Sequence, residues 1–101
     1  MRMLLTVSFP HEQFNRLVRE KKAGPLLQRI FEDIRPESVY FTEECGRRAA
    51  VLVIDVADPS RVPSFAEPFF LHFNADCRLR IAMSREDLGR AGLDQLGEKW
   101  A

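Results

Sequence analysis

Few side chains in this sequence combine a reactive type with a suggestive neighbour. Arg78 and Arg80 alternate with Cys77, Leu79, Ile81 and Met83. In a strand that spacing puts both guanidinium groups on one face, where two such groups can grip a carboxylate or a phosphate. They can equally pair with Asp55, Glu43 or a partner subunit, and a charged pair on an edge strand also discourages sheet aggregation. Tyr40, in Val39-Tyr40-Phe41-Thr42, offers a phenol to a cavity. His72 flanks the apolar stripe of a helix, where it either points into a pocket between helix and sheet or edges the core. Tyr40, His72, Arg78 and Arg80 are therefore the candidate ligand-binding residues, and an apolar or anionic small molecule is the ligand they would suit. His11 opens the first helix, where a neutral imidazole is favoured over a charged one; it is a candidate base or a solvated first-turn residue. No nucleophile stands at a defined spacing from a base, so no catalytic residue is assigned.

Two histidines far apart, with no third ligand, argue against a metal site, and no residue pattern calls for a cofactor. Cys45 and Cys77 fall outside any C-x-x-C spacing and read as ordinary thiols of a reducing compartment.

The elements that must position these residues emerge from periodicity. Arg2 to Phe9 alternates as a strand, with Met3, Leu5, Val7 and Phe9 on its apolar side. Ser8 is placed to cap the next helix, and Pro10 pre-sets a first turn. His11 to Lys22 reads as that helix, with Phe14, Leu17 and Val18 inward. Gly24 ends it and Pro25 starts another, with Leu26, Leu27, Ile30, Phe31 and Ile34 on its stripe. After Pro36 come a short strand around Val39–Thr42, a turn through Gly46, and the almost unbroken apolar run from Ala49 to Val56, which suits a strand covered on both faces. Asp58 or Ser60 caps a helix in which Val62, Phe65, Ala66, Phe69 and Phe73 share one stripe; Phe70 falls off it. Pro68 should kink that helix and free the Ser64 carbonyl, and Asn74 should stop it. Cys77 to Met83 is a strand. Ser84-Arg85-Glu86-Asp87 then matches a capping box that opens a C-terminal helix. That helix is weakened by Gly89, Gly92 and Gly97. The apolar tail of Leu93, Leu96 and Trp100 needs a surface to lie on, and Trp100 is expected to be docked.

The order is β-α-β-β-α-β, with the first α broken in two and a C-terminal helix added: a ferredoxin-like α+β fold, one domain over residues 1–101, with helices on one face of an antiparallel sheet. The other face is expected to carry Thr6, Ser8, Tyr40, Thr42, Arg78 and Arg80 around Leu4, Leu52 and Ile54. Its centre is too apolar for water, so a second copy should cover it in a two-fold contact.

Composition sets outer bounds. The chain has 101 residues with 46% hydrophobic content, and fifteen basic residues balance fifteen acidic ones. There is no global field to attract nucleic acid or an anionic membrane, no apolar run near the roughly 20 residues of a membrane span, and no signal-peptide pattern. A cytoplasmic location is expected.

The order of elements resembles the dimeric α+β barrel group of ferredoxin-like proteins. The stretches PESVYFTE, GRRAAVLVIDVADPS, PSFAEPFFLHFNA and the R-x-R strand ending in M-S-x-E-D-L also resemble a small bacterial family of about this length, which brings no assigned activity. The barrel resemblance implies a homodimer. The wider group contains cofactor-free monooxygenases, isomerases, haem-binding enzymes and ligand sensors, so it selects no single function. The leading expectation is a non-catalytic dimeric module that binds a small molecule or a protein. The alternative is a small cofactor-free enzyme of monooxygenase or isomerase type, with His11, His72 or Tyr40 as acid or base and a cavity made by small residues such as Ala49, Ala50, Ala66 and Ala82. Nucleic-acid binding on the open sheet lacks exposed aromatics on the central strands and is not expected.

Overall fold

The computed structural model describes residues 1–101. Four strands make one antiparallel sheet in the order β2-β3-β1-β4: β1 (Arg2–Ser8), β2 (Ser38–Glu44), β3 (Arg47–Asp55) and β4 (Asp76–Ile81). The helices are α1 (His11–Arg19), α2 (Ala23–Ile34), α3 (Val62–Phe73), α4 (Arg85–Arg90) and α5 (Leu93–Lys99). With β1 and β3 in the middle, this is the strand order of a ferredoxin-like α+β fold. No helix is long and apolar enough to cross a membrane.

Local chemistry fixes each joint. Cys45 and Gly46 both take positive φ, 52° and 79°, which makes the two-residue hairpin turn whose twist matches its strands. The Gly46 N–H donates to Glu43 Oε2 at 2.9 Å. The break in the first helical region falls earlier than Gly24: Lys21 has φ of 60°, and the Lys22 N–H returns to the Leu17 carbonyl at 2.8 Å, a left-handed end that releases α2 in a new direction. Ser8 does not cap α1; Pro10 holds the N-cap position with no side-chain bond. Asp58 accepts from the Ser60 N–H and caps the single 3-10 turn that leads into α3. Pro68 does not interrupt α3, which stays helical from Val62 to Phe73 and stops where Asn74 turns left-handed. The Ser84–Asp87 capping box forms in both directions.

The core lies between one sheet face and α1, α2 and α3. Cross-strand partners share a face, so the pairs Met3–Ile54, Leu5–Leu52 and Val7–Ala50 put one set of side chains under the helices. Phe9, Phe69 and Phe73 fill the end of this layer; Phe9 meets Phe14 and Phe73 edge-on at 5.0 and 5.1 Å. The α3 stripe is core, as its spacing implies, and Phe70 is exposed. Val18, expected to face inward, is also exposed.

The C-terminal segment departs from expectation. It forms two short helices and not one, because Gly92 takes φ of 74° between them. Neither packs extensively on another element, and Trp100 is 75% exposed instead of docked. The molecule measures 59 × 28 × 20 Å, with a radius of gyration of 17.0 Å, where a compact chain of this length has about 13 Å.

Truncating Phe69 to Ala should cost about 3–5 kcal/mol of unfolding free energy, whereas Phe70→Ala should stay within about 1 kcal/mol. Urea unfolding followed by circular dichroism measures both. Similar costs at the two positions would contradict this division of α3 into a buried and an open side.

Candidate functional site

The face of the sheet turned away from the helices is built by register. Across the strands β2-β3-β1-β4, successive levels read Ser38, Val53, Leu4, Arg80; then Tyr40, Val51, Thr6, Arg78; then Thr42, Ala49, Ser8, Asp76. The apolar side chains are those of β3 and Leu4 of β1, Thr6 and Ser8 continue β1 as polar residues, and the two edges are polar, charged or phenolic. This is the arrangement of a small interface patch, with an apolar middle and a polar rim. Leu52 and Ile54, expected on this face, are fully buried on the other; Val51 and Val53 hold their places. The charged Asp55 carries the missing signal: it pairs with Arg2 outside the helix layer, and counting back from it in steps of two reaches Val53, Val51 and Ala49.

Three of the four candidate ligand residues share this face, but they do not converge. Tyr40 is on one edge strand and 69% exposed, while Arg78 and Arg80 are on the other edge. Strands about 4.8 Å apart put those edges about 14 Å from each other. Arg78 and Glu44 reach toward each other over the sheet, and Arg78 donates from Nη2 to Glu44 Oε2 at 2.6 Å. Both groups are partly in water, so the pair contributes at most about 1 kcal/mol. Arg80 has no carboxylate partner in the chain; Asp55 instead accepts from the N-terminal amine at 3.0 Å. Beneath the Arg78–Glu44 bridge, Thr6 is 4% exposed, and its Oγ1 is buried without a hydrogen-bond partner, a costly state for a hydroxyl. A hollow of about 410 Å³ lies here, lined by Thr6, Ser8, Glu44, Cys45, Arg47, Asp76 and Arg78. Strand alternation puts Thr6, Ser8, Glu44, Arg47, Asp76 and Arg78 on this face; only Cys45 joins them from the hairpin turn.

His72 is on the opposite side of the molecule. It does not point between α3 and the sheet, where Phe65, Phe69 and Phe73 fill the space. It lines the outer groove between α2 and α3, about 690 Å³, with Arg29, Glu32, Asp33, Glu67 and Pro68. His11 is exposed at the start of α1. No group of three or more His, Cys, Asp or Glu side chains is close enough to hold a metal ion. A second groove, of about 510 Å³ and almost wholly apolar, runs between α2 and β2 over Gly24, Leu27, Phe31 and Phe41. Its rings stand 6.0 Å apart; periodicity puts Phe31 on a core stripe and leaves Phe41 without a role.

Comparison with family models, curated proteins and solved structures found no match to this chain. Its function has to be argued from its geometry.

The two thiols differ sharply. Cys45 is exposed in the turn. Cys77 sits half-buried on the helix side of β4, and burial, reinforced by Asp76 and Glu67, pushes its thiol up to about 11 from an ordinary value near 9. At pH 8, iodoacetamide should therefore modify Cys45 readily and Cys77 at least tenfold more slowly, with the difference lost in denaturant. The fold favours the neutral Cys77 thiol. Its contribution to stability is complete below pH 9 and declines as pH rises toward 11. Peptide mass mapping of the labelled protein checks the first outcome, and thermal melts of wild type against Cys77→Ser between pH 8 and 11 check the second.

Proposed function

We propose that this chain is a homodimeric, non-catalytic binding module, with the open sheet face as its self-association surface. The observation that carries this reading is the half-exposed apolar centre of that face: Leu4, Val51 and Val53 lie side by side on the two middle strands, away from the helices, with Ala49 buried beside them. An apolar strip of this kind is stable in water only when something covers it.

The distribution of charge supports one way of pairing. A two-fold axis across the strands would stack each β4 on its copy and bring Arg78 and Arg80 against the same two cations. An axis along the strands sets β4 over the partner's β2, so that Arg78 meets the level of the partner's Tyr40 and Arg80 that of the partner's Ser38. A guanidinium over a tyrosine ring is attractive, and four cations in one place are not. The chain's net charge of zero adds no long-range repulsion between copies.

Pairing along that axis also roofs the hollow at Thr6, Ser8, Arg47 and Arg78, giving two chambers per dimer. Arg47 and Arg78 line the hollow together with the carboxylates of Glu44 and Asp76, so each chamber suits a small polar molecule that presents groups of both signs. The apolar interior between helices and sheet is filled by side chains, so the binding volume is assigned to the sheet's outer face.

Native mass spectrometry tests this reading. The wild-type protein should run as a dimer. Val51→Glu, which places a carboxylate in the middle of the apolar strip, should weaken self-association by a factor of about 100 or more while circular dichroism stays that of the folded chain. A discrete small molecule retained by the dimer and absent from the Val51→Glu monomer would support the chambers. A wild-type monomer at micromolar concentration would overturn the proposal.

A further inference from the structure

The C-terminal segment is built as a contact element with nothing to contact. Leu93, Leu96 and Trp100 fall at spacings of three, four and seven, one stripe of α5. All three are exposed, as are Met83 and Leu88 behind them. An isolated seven-residue helix containing glycine is too short to persist by its own propensity, so this segment takes its stability from what it packs on.

The segment does not meet its own chain's groove. The segment leaves the end of β4, at one edge of the sheet, while the apolar groove between α2 and β2 borders the other. The segment packs extensively on no other element, and the molecule is 59 Å along its longest axis.

We propose that this arm, residues 82–101, crosses to a second copy of the chain and seats its Leu93–Leu96–Trp100 stripe in that copy's groove of Gly24, Leu27, Phe31 and Phe41. The assignment rests on the sheet-face dimer, in which the axis along the strands sets β4, and so the root of the arm, beside the partner's β2. Three observations favour a second copy as the occupant. Arm and groove occur once each in every chain, so a two-fold exchange satisfies both and leaves neither exposed. The charges match: Lys99, next to Trp100, and Glu32, on the groove's rim, have no ion-pair partner within the chain. The areas also match. Four strands about 4.8 Å apart and about six residues long offer a flat face of about 400 Å². That is roughly half of the about 800 Å² per partner that stable interfaces bury, and the arm supplies the remainder. Gly24 leaves the groove open, since a Cβ there would meet nothing within 4 Å.

Inter-chain disulfide trapping tests the exchange. Both native thiols are removed (Cys45→Ser, Cys77→Ser). One chain then carries Gln95→Cys, beside the arm's stripe, and the other carries Gln28→Cys, on the wall of the groove. After the two are mixed, allowed to exchange and mildly oxidised, a covalent dimer containing one chain of each kind is expected. Neither chain alone should give that species. In a second measurement, replacing Leu96 and Trp100 together by Ala should raise the dimer dissociation constant tenfold or more by analytical ultracentrifugation, with the sheet intact by circular dichroism. A dimer that persists without the mixed disulfide overturns the arm exchange and leaves the sheet-face dimer standing. So does a chain carrying both cysteines that closes the bond on itself. A wild-type monomer overturns both.

Discussion

A four-stranded sheet has two faces, and this chain has helices for only one. Everything else in the structure depends on how that imbalance is handled. On the helix side, Leu5, Val7, Leu52 and Ile54 meet Phe9, Phe69 and Phe73 in a fully buried centre, with Phe41 and Ile81 exposed only at the two edges. On the other side the central strands present valine, leucine and alanine, and the edges present arginine, tyrosine and acid. The side chains are divided between the faces in a way that a solitary folded chain does not require, because water would accept polar residues at Val51 and Val53 without loss to the core.

The buried, unpartnered hydroxyl of Thr6 belongs to the same imbalance. It lies where Arg78 reaches over the sheet to Glu44, and it is shut off from water before any second chain or ligand arrives. Buried polar groups without partners are rare in folded proteins, and each has a structural or functional reason. This hydroxyl can gain a partner only if the Arg78–Glu44 bridge above it opens. The exposed thiol of Cys45 and the guanidinium of Arg47 stand at the same end of the sheet, the first brought there by the hairpin turn and the second by its place at the start of β3.

The arm has the complementary problem. Its capping box is formed in full and its second helix begins at a left-handed glycine, so its local structure is well specified. What it lacks is a surface. Local signals and tertiary packing usually agree in a protein that folds to one state. They agree in the body of this molecule, and in the arm the local half is present while no packing surface is met within the chain.

Much of the fold is legible in the sequence because short-range physics determines it. The alternation of Arg78 and Arg80 with apolar neighbours, the α3 stripe through Phe65, Phe69 and Phe73, the left-handed stop at Asn74 and the box at Ser84–Asp87 all depend on residues within a few positions of one another. Those signals set the element order, and the element order sets the sheet. Three things are decided only by the tertiary structure. The run from Ala49 to Val56 carries one weak parity signal, the charged Asp55, and it is the pairing with β1 that fixes Val51 and Val53 on the outer face. His72 is separated from Tyr40, Arg78 and Arg80 because helix and sheet layers carry them to opposite sides, which no spacing along the chain reveals. The tail around Trp100 is apolar in sequence, and apolarity says that a side chain wants to be buried without saying in which molecule. That last choice depends on where β4 ends relative to the groove beside β2, a distance that exists only once the sheet is built.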